Sequence, residues 1–286
     1  MNKPRIGLTV GDPKGIGPEI AAQVLQDPEI QKSCELVCFG NITPPQNLSD
    51  VDAAILAIRS LKEAQSAVLE KSVQALVTGP VNKSRLRLVD PEFLGHTEFF
   101  AQGTATEHVT PLFVAHQWRV ALVTGHLPLK EVSHRLNAVD ILKTIRMTAK
   151  NLIELFHIPE PKIAVAGLNP HAGEQGVLGD EEKKIITPAI LQARKEKIQV
   201  EGPFSPDTLF WQMTQGKWDA VIAMYHDQGL IPIKTLAFKE TVQVSLGLPF
   251  LRVSVDHGTA ENIVGTGNAD ATNLKAAVKL ATSLLL

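Results

Sequence analysis

Cysteine is scarce in this 286-residue chain, which has only Cys34 and Cys38. Two thiols four residues apart in the strand-like segment ELVCFG are too few for a disulfide framework or a zinc knuckle. Both are expected to pack on one face of a strand, in a reducing cytoplasm. An excess of one charge is also lacking. The formal net charge is -2, from 28 basic and 30 acidic residues, and no run of Lys and Arg points to a nucleic acid. No apolar run is long enough to cross a membrane. The opening MNKPRIGLTV enters a strand at once, without a signal-peptide core or cleavage site. No internal repeat, low-complexity tract, Walker loop, HExxH or CxxC is present. What is there is a soluble globular composition, 44% hydrophobic and 20% charged. The length suffices for one or two domains.

Apolar runs that read as buried strands alternate with helical patterns, which predicts an α/β class with a largely parallel sheet. Ile6 to Val10 is the first strand and leads through GDPKGIGPE into a helix from Pro18 to Leu25. Asn41 to Asp50 reads as a polar, proline-rich loop. Val51 to Glu70 reads as a helix with Ile55, Ile58, Leu61 and Val68 on one stripe, and Val139 to Phe156 as an amphipathic helix starting its stripe at Val139. Ser205 is expected to cap the helix that follows it. Asn273 to Leu286 reads as a closing helix. Residues 1–286 are expected to form two interleaved α/β subdomains, the middle of the chain lying between terminal segments, although composition marks no border.

Three of the nine histidines share a context. His126 in TGH, His171 in NPHAGE and His226 in YHDQG each follow an apolar strand and sit beside Gly or Pro. Loops at the carboxyl ends of parallel strands converge on one face, so the three imidazoles either meet around a divalent metal or are hydrogen-bonded loop side chains. His108, His116, His134 and His157 lack that context. His96-Thr97 at a helix start offers an imidazole, a hydroxyl and N–H groups to an anion, or else Thr97 is an N-cap. Lys234, in apolar surroundings, either snorkels to solvent or binds a charged ligand group. Arg252 on a buried strand needs an anion, supplied internally or by substrate. The turn Asp256 to Asp270 is either a tight connection before the last helix or a nucleotide-holding loop. GDPKGIGPE is either a structural turn or a ligand loop, for it lacks the third glycine of the dinucleotide fingerprint.

The strings GDPKGIGPE, TGPVNK, GHTEFF, TGH, LNPHAGEQGVLGDEE, YHDQGLIPIK and LGLPFLRVSVDHGTA occur in order and span almost the whole chain. Together they resemble the 4-hydroxythreonine-4-phosphate dehydrogenase family of pyridoxal phosphate biosynthesis. The resemblance implies two α/β domains with a cleft between them, as in isocitrate and isopropylmalate dehydrogenases, and a homodimer with its active site at the subunit interface. It implies metal ligands at His126, His171 and His226 for one divalent ion such as zinc, magnesium or cobalt. It implies substrate contacts at His96, Thr97, Lys234, Gln243 and Arg252, and NAD or NADP held by His257, Gly258, Thr259 and Asn268. Three features depart from the family pattern: Gln243 stands where an asparagine is usual, Lys14 where a small residue is usual, and the Gly40 to Asp50 region is short.

The implied activity is NAD(P)-dependent oxidation of 4-phosphooxy-threonine at its C3 hydroxyl. Loss of CO2 from the resulting β-keto acid then gives 3-amino-2-oxopropyl phosphate. A related dehydrogenase acting on a phosphorylated sugar acid such as threonate 4-phosphate is the alternative within the family. Two other classes compete: a metal-dependent hydrolase built on the same histidines, and a ligand-binding protein without catalysis. Appearance of reduced cofactor discriminates the dehydrogenase from both.

Overall fold

The computed structural model describes residues 3–43 and 47–286, so residues 44–46 of the Asn41 to Asp50 loop lie outside the described residues, as do Met1 and Asn2. The chain divides into two compact units, residues 1–109 with 239–286, and residues 110–238.

The first unit begins with β1 (Arg5–Thr9), α1 (Gly17–Leu25), α2 (Pro28–Ser33), β2 (Glu35–Phe39), α3 (Asp50–Leu69), β3 (Ala75–Thr78), α4 (Lys83–Leu86) and α5 (His96–Gly103). The second unit runs through β4 (Thr110–Ala115), β5 (Trp118–Leu122), α6 (Leu129–Arg135), α7 (Ala138–Glu154), β6 (Ile163–Ala166), α8 (Thr187–Lys195), β7 (Val200–Phe204), α9 (Pro206–Thr214), β8 (Ala220–Ala223) and α10 (His226–Ala237). The chain then returns to the first unit with β9 (Val242–Leu246), β10 (Leu251–Val255) and α11 (Thr272–Ser283).

Strand order in the first unit is β2-β1-β3-β10-β9, parallel except for the β10–β9 pair. In the second it is β4-β5-β8-β6-β7, parallel except for the β4–β5 pair. The central strands are short, continuous apolar runs, as helix-covered parallel sheets require. β3, β6 and β8 are buried at every position.

The helices follow their local chemistry. Pro18 opens α1, where its missing N–H is not needed. The Ser49 hydroxyl caps α3 by accepting from Asp52 N, and Asn137 caps α7 by accepting from Asp140 N. α3 packs Ala57, Ile58, Leu61, Ala64 and Val68 against Leu76 of the sheet and against Phe93 and Phe100. The second unit's core joins Val120, Leu122, Ala164, Val221 and Ala223 from strands to Phe210, Met213, Leu230 and Ile233 from helices.

Several expectations change at this level. Ile55 and Val139, the first residues of their stripes, face solvent, while Ile58, Leu61 and Val68 on α3 and Ile145 and Leu152 on α7 are buried as expected; Ala54 and Ile141 take the buried seats at the helix starts. Cys34 is buried at the end of α2 rather than on a strand, while Cys38 lies on β2, and both thiols are free. The acidic start at Asp180, which reads as the opening of a helix running to Lys197, leads instead into a wide π-turn, Glu182–Ile186, followed by α8. Ser205 makes no capping bond to the backbone; its hydroxyl donates to Asp207 instead. No helix among the described residues is long and apolar enough to cross a membrane.

Candidate functional site

β5, β8 and β6 are adjacent and parallel, so their carboxyl ends lie side by side. His126, His226 and His171 follow those three ends. Side-chain clamps tie the ends together. The Thr124 hydroxyl donates to Met224 O (2.7 Å). The buried Gln228 carboxamide accepts from Met224 N and donates to Gly167 O, each at 2.7 Å. Thr124 therefore joins the β5 end to the β8 end, and Gln228 joins the β8 end to the β6 end. The family strings contain Thr124 and Gln228, but their bridging role has no signature in the sequence.

His126 and His226 stand with ring centroids 5.5 Å apart. His226 Nδ1 lies 2.7 Å from Asp227 Oδ1. A carboxylate there accepts the Nδ1 proton and leaves the Nε2 lone pair available, the usual arrangement of a metal-ligating histidine. His171 is exposed on its own turn, and among the described residues no three His, Cys, Asp or Glu side chains are grouped as a metal-holding set. Two imidazoles, one backed by a carboxylate, suit a divalent transition ion as donor chemistry, and His171 follows the neighbouring strand end of β6.

The His171 turn is strained. His171, Ala172, Gly173, Glu174 and Gln175 all have positive φ, between 41° and 78°. The left-handed conformation costs roughly 1–2 kcal/mol for each residue carrying a Cβ. Replacing Ala172 by Gly is therefore expected to stabilise the folded chain by about 1 kcal/mol, read as a rise in Tm of a few degrees. An unchanged or lowered Tm would show that Ala172 is not paying that cost.

In the first unit Arg252 is 1% exposed on β10. Its Nη1 donates to Ser245 Oγ (2.8 Å) and Thr97 Oγ1 (3.3 Å), and its Nη2 to Thr78 Oγ1 (2.9 Å). Phe100 covers the guanidinium at 5.5 Å, and Nε is buried without a hydrogen-bond partner. Burial pushes the Arg252 guanidinium down to about 9, opposed by the Glu98 carboxylate. Thus three hydroxyls, and no hydrogen-bonded carboxylate, surround a buried cation. His96 begins α5 beside it, with Nε2 buried and unpartnered. Burial, with Arg252 and Lys83 nearby, holds His96 well below its ordinary pKa and keeps it neutral. Gly95 is the N-cap of α5, so Thr97 is not a cap and its hydroxyl is available to Arg252. Ser245 lies two residues from Gln243 on β9, which puts Gln243 on the same face. Thr78 and Ser245 were missed in the sequence because isolated hydroxyls carry no pattern; only the buried cation between them reveals their use.

Lys234 lies in the second unit on α10, with Nζ 5.6 Å from the Phe238 ring. The candidate substrate residues therefore divide between the units: His96, Thr97, Gln243 and Arg252 in one, Lys234 in the other.

The proposed nucleotide turn joins β10 to α11. The His257 Nδ1 lies 2.9 Å from Gly258 O, so Nδ1 carries the proton, and its Nε2 is buried without a partner. A Cβ on Gly258 would meet no atom within 4 Å, and the same holds for Gly265 and Gly267. Protein packing does not require glycine at 258; close approach by a ligand would. The N-terminal glycine loop braces this turn. Ile16 N donates to Thr259 O (2.9 Å), a Cβ on Gly15 would strike Thr259 at 2.8 Å, and Gly265 N donates to Glu19 Oε1 (2.8 Å). Arg85, 7% exposed, binds Asp12, Asp50 and Glu261 and so ties GDPKGIGPE, α3 and the turn together. Asn268 is exposed on the same turn.

Comparison with known proteins identifies the family. The family model described as "Pyridoxal phosphate biosynthetic protein PdxA" matches residues 19–281. A 4-hydroxythreonine-4-phosphate dehydrogenase of Desulforapulum autotrophicum is 42% identical, the match covering 98% of this chain and 95% of that protein. A D-threonate 4-phosphate dehydrogenase of Salmonella typhimurium is 35% identical, covering 99% and 100%. The crystal structure of 4-hydroxythreonine-4-phosphate dehydrogenase from Klebsiella pneumoniae superposes with a TM-score of 0.91 at 35% identity, covering 99% of this chain and 100% of that one. Isocitrate dehydrogenase from Methylococcus capsulatus, at 12% identity and a TM-score of 0.53 over 99% of this chain and 85% of its own, shares the fold. By the family model and by identity over nearly its whole length, the chain belongs to the PdxA family of pyridoxal phosphate biosynthetic proteins.

Proposed function

We propose that this protein oxidises 4-phosphooxy-L-threonine at C3 with NAD or NADP and releases CO2 from the β-keto acid, giving 3-amino-2-oxopropyl phosphate. The observation that carries the reading is Arg252, a buried guanidinium surrounded by Thr97, Ser245 and Thr78 hydroxyls, beside a neutral His96. Such a charge is costly when unpaired and favourable against a phosphate or carboxylate. The relatives named for phosphorylated hydroxy-acid substrates supply the class of anion.

In this reading Arg252 and the Thr97 hydroxyl hold one anionic end of the substrate, Gln243 lines the same face, and Lys234 contacts a second charged group. His126 and His226 hold a divalent ion, with His171 as third donor, and Asp227 fixes the His226 tautomer. Bound there, such an ion supplies Lewis acidity that favours negative charge at the C3 oxygen, during oxidation and again as CO2 departs. The nicotinamide supplies the hydride acceptor. The turn of His257, Gly258, Thr259 and Asn268 holds the cofactor: Gly258 allows its close approach, and the bare His257 Nε2 accepts a hydrogen bond from it. Replacement of Gly258 by Val is expected to weaken NAD and NADP binding by about 10-fold or more in calorimetric titration, with metal content intact. Wild-type affinity for both nucleotides would place the cofactor elsewhere.

Assaying reduced nicotinamide with 4-phosphooxy-L-threonine and with threonate 4-phosphate, each with NAD and NADP, tests the reaction. No reduction with either substrate would refute the dehydrogenase. Gln243 in place of asparagine and the threonate 4-phosphate relative favour including the second substrate, a dehydrogenase of which is the alternative reading.

A homodimer with the active site at its interface belongs to the same proposal. Ile231, on the helix that begins with His226, and Phe238, just after it, are 63% and 70% exposed, and a second copy would cover them. Sedimentation velocity is expected to show a dimer at micromolar concentration; a monomer there would count against it. A cytoplasmic location accords with the two free thiols and is tested by fractionating the source cells.

A further inference from the structure

The π-turn Glu182–Ile186 begins with a carboxylate that the proposed reaction does not use. Glu182 is 4% exposed. Its Oε1 accepts from Leu168 N (2.8 Å) and Asn169 N (2.7 Å), and its Oε2 from Asn169 Nδ2 (3.0 Å). All three partners are neutral N–H donors on the segment that leads from β6 to His171.

The same carboxylate fills the hollow of the left-handed turn. A Cβ on Gly173 would lie 2.6 Å from Oε2, and one on Gly167 3.2 Å from Oε1. Glu182 thus crowds Gly173, whose positive φ already favours glycine, while at Gly167 the Ala172 of the turn itself lies nearer, at 2.9 Å; the carboxylate is enclosed between the β6 end and the run of five positive φ values. Around this centre, Ala172 N donates to Asn169 O, Leu178 N to Gly173 O, and the Lys183 ammonium to Gln175 O. A turn that local preference disfavours persists only where its surroundings over-determine it, and Glu182 supplies the buried part of that constraint.

We propose that Glu182 is a positioning residue: its carboxylate fixes the left-handed turn and thereby sets the place of the His171 imidazole as a metal donor. The proposal rests on the reading that His171 donates to the divalent ion. It differs from a purely structural role in what it predicts for metal binding by folded protein. A ligand held off its productive position weakens an ion even when the fold survives, as loss of outer groups supporting metal ligands generally does.

Cobalt(II) is the probe, since its visible absorption reports ligand number and geometry. Apo full-length protein is titrated as wild type, His171→Ala, Glu182→Gln and Glu182→Ala, each below its own Tm. Glu182→Gln keeps one accepting oxygen for the Leu168 and Asn169 N–H groups but turns an amide N–H toward Asn169. The expected result is cobalt binding weakened about 10-fold in Glu182→Gln and further in Glu182→Ala, with an altered visible band in both and unchanged far-ultraviolet dichroism. Glu182→Gln alone decides the matter if Glu182→Ala does not fold. Lowered Tm with wild-type cobalt affinity and spectrum in the glutamate variants, while His171→Ala loses the ion, would overturn the proposal and leave the metal reading standing. Wild-type cobalt binding by His171→Ala would instead overturn the metal reading, and the proposal with it.

Discussion

Arg252→Ala is expected to raise the Michaelis constant for the phosphorylated substrate by about 100-fold, with little loss of stability. Removing one partner of a buried, hydrogen-bonded charge pair costs about 2–5 kcal/mol of binding, and about 2.7 kcal/mol corresponds to that factor. The unusual part is the small effect on stability. In the free protein the guanidinium is already a burden, since burial pushes it down to about 9 and its hydrogen-bond acceptors are three hydroxyls. Deleting it leaves a polar cavity and three unpaired hydroxyls but also removes the cost of a buried cation. These terms oppose one another, so Tm should move by only a few degrees. Arg252→Lys keeps the charge but loses the fork that reaches Ser245 and Thr78 together, and should recover only part of the affinity. Steady-state kinetics and thermal denaturation of both variants are the measurements. An Arg252→Ala protein that saturates normally yet turns over slowly, or one that merely unfolds, would remove Arg252 from substrate binding.

Replacing His226 by Ala is expected to abolish stoichiometric metal and to lower kcat by at least about 1000-fold. His226 is anchored, its Nδ1 held by Asp227 and its backbone at the start of α10. His126→Ala and His171→Ala should also lower metal content, by amounts that rank the three donors. Asp227→Asn is the finer test: it keeps the side chain's shape but weakens the grip on the Nδ1 proton, and should cost about 10–100-fold in metal affinity. Metal analysis after gel filtration reads all four variants. Full stoichiometric metal in the three histidine variants would refute the metal site. None of the three changes removes core volume, so the fold should survive each of them.

The α/β class was legible because its signals are local. A run such as Ala220-Val221-Ile222-Ala223 is a buried strand wherever it lies, whereas the one cap read with it, Ser205, forms no capping bond. Helix faces were legible except at their first residues. At Ile55 hydrophobicity matched the period while the buried seat went to its smaller neighbour Ala54; at Val139 the buried seat went to Ile141, two positions on. The π-turn at Glu182–Ile186 was not legible, because its widened spacing answers to a carboxylate placed beneath another loop.

The candidate site divides along the same line. Sequence alone determined which residue types follow strand ends, and ordered strings of that kind were enough to mark the family. Chain order did not say that β5, β8 and β6 are neighbours, since strand pairing is decided by how helices cover the sheet. Nor did it reveal the hydroxyls of Thr78 and Ser245, which lie 174 and 7 residues from Arg252 and become partners only through sheet register. Only the tertiary structure decided that the N-terminal glycine loop braces the His257 turn, by setting Gly15 where a Cβ would strike Thr259. A glycine in a sequence records that a side chain does not fit; what it would have struck is settled by the rest of the chain folding against it.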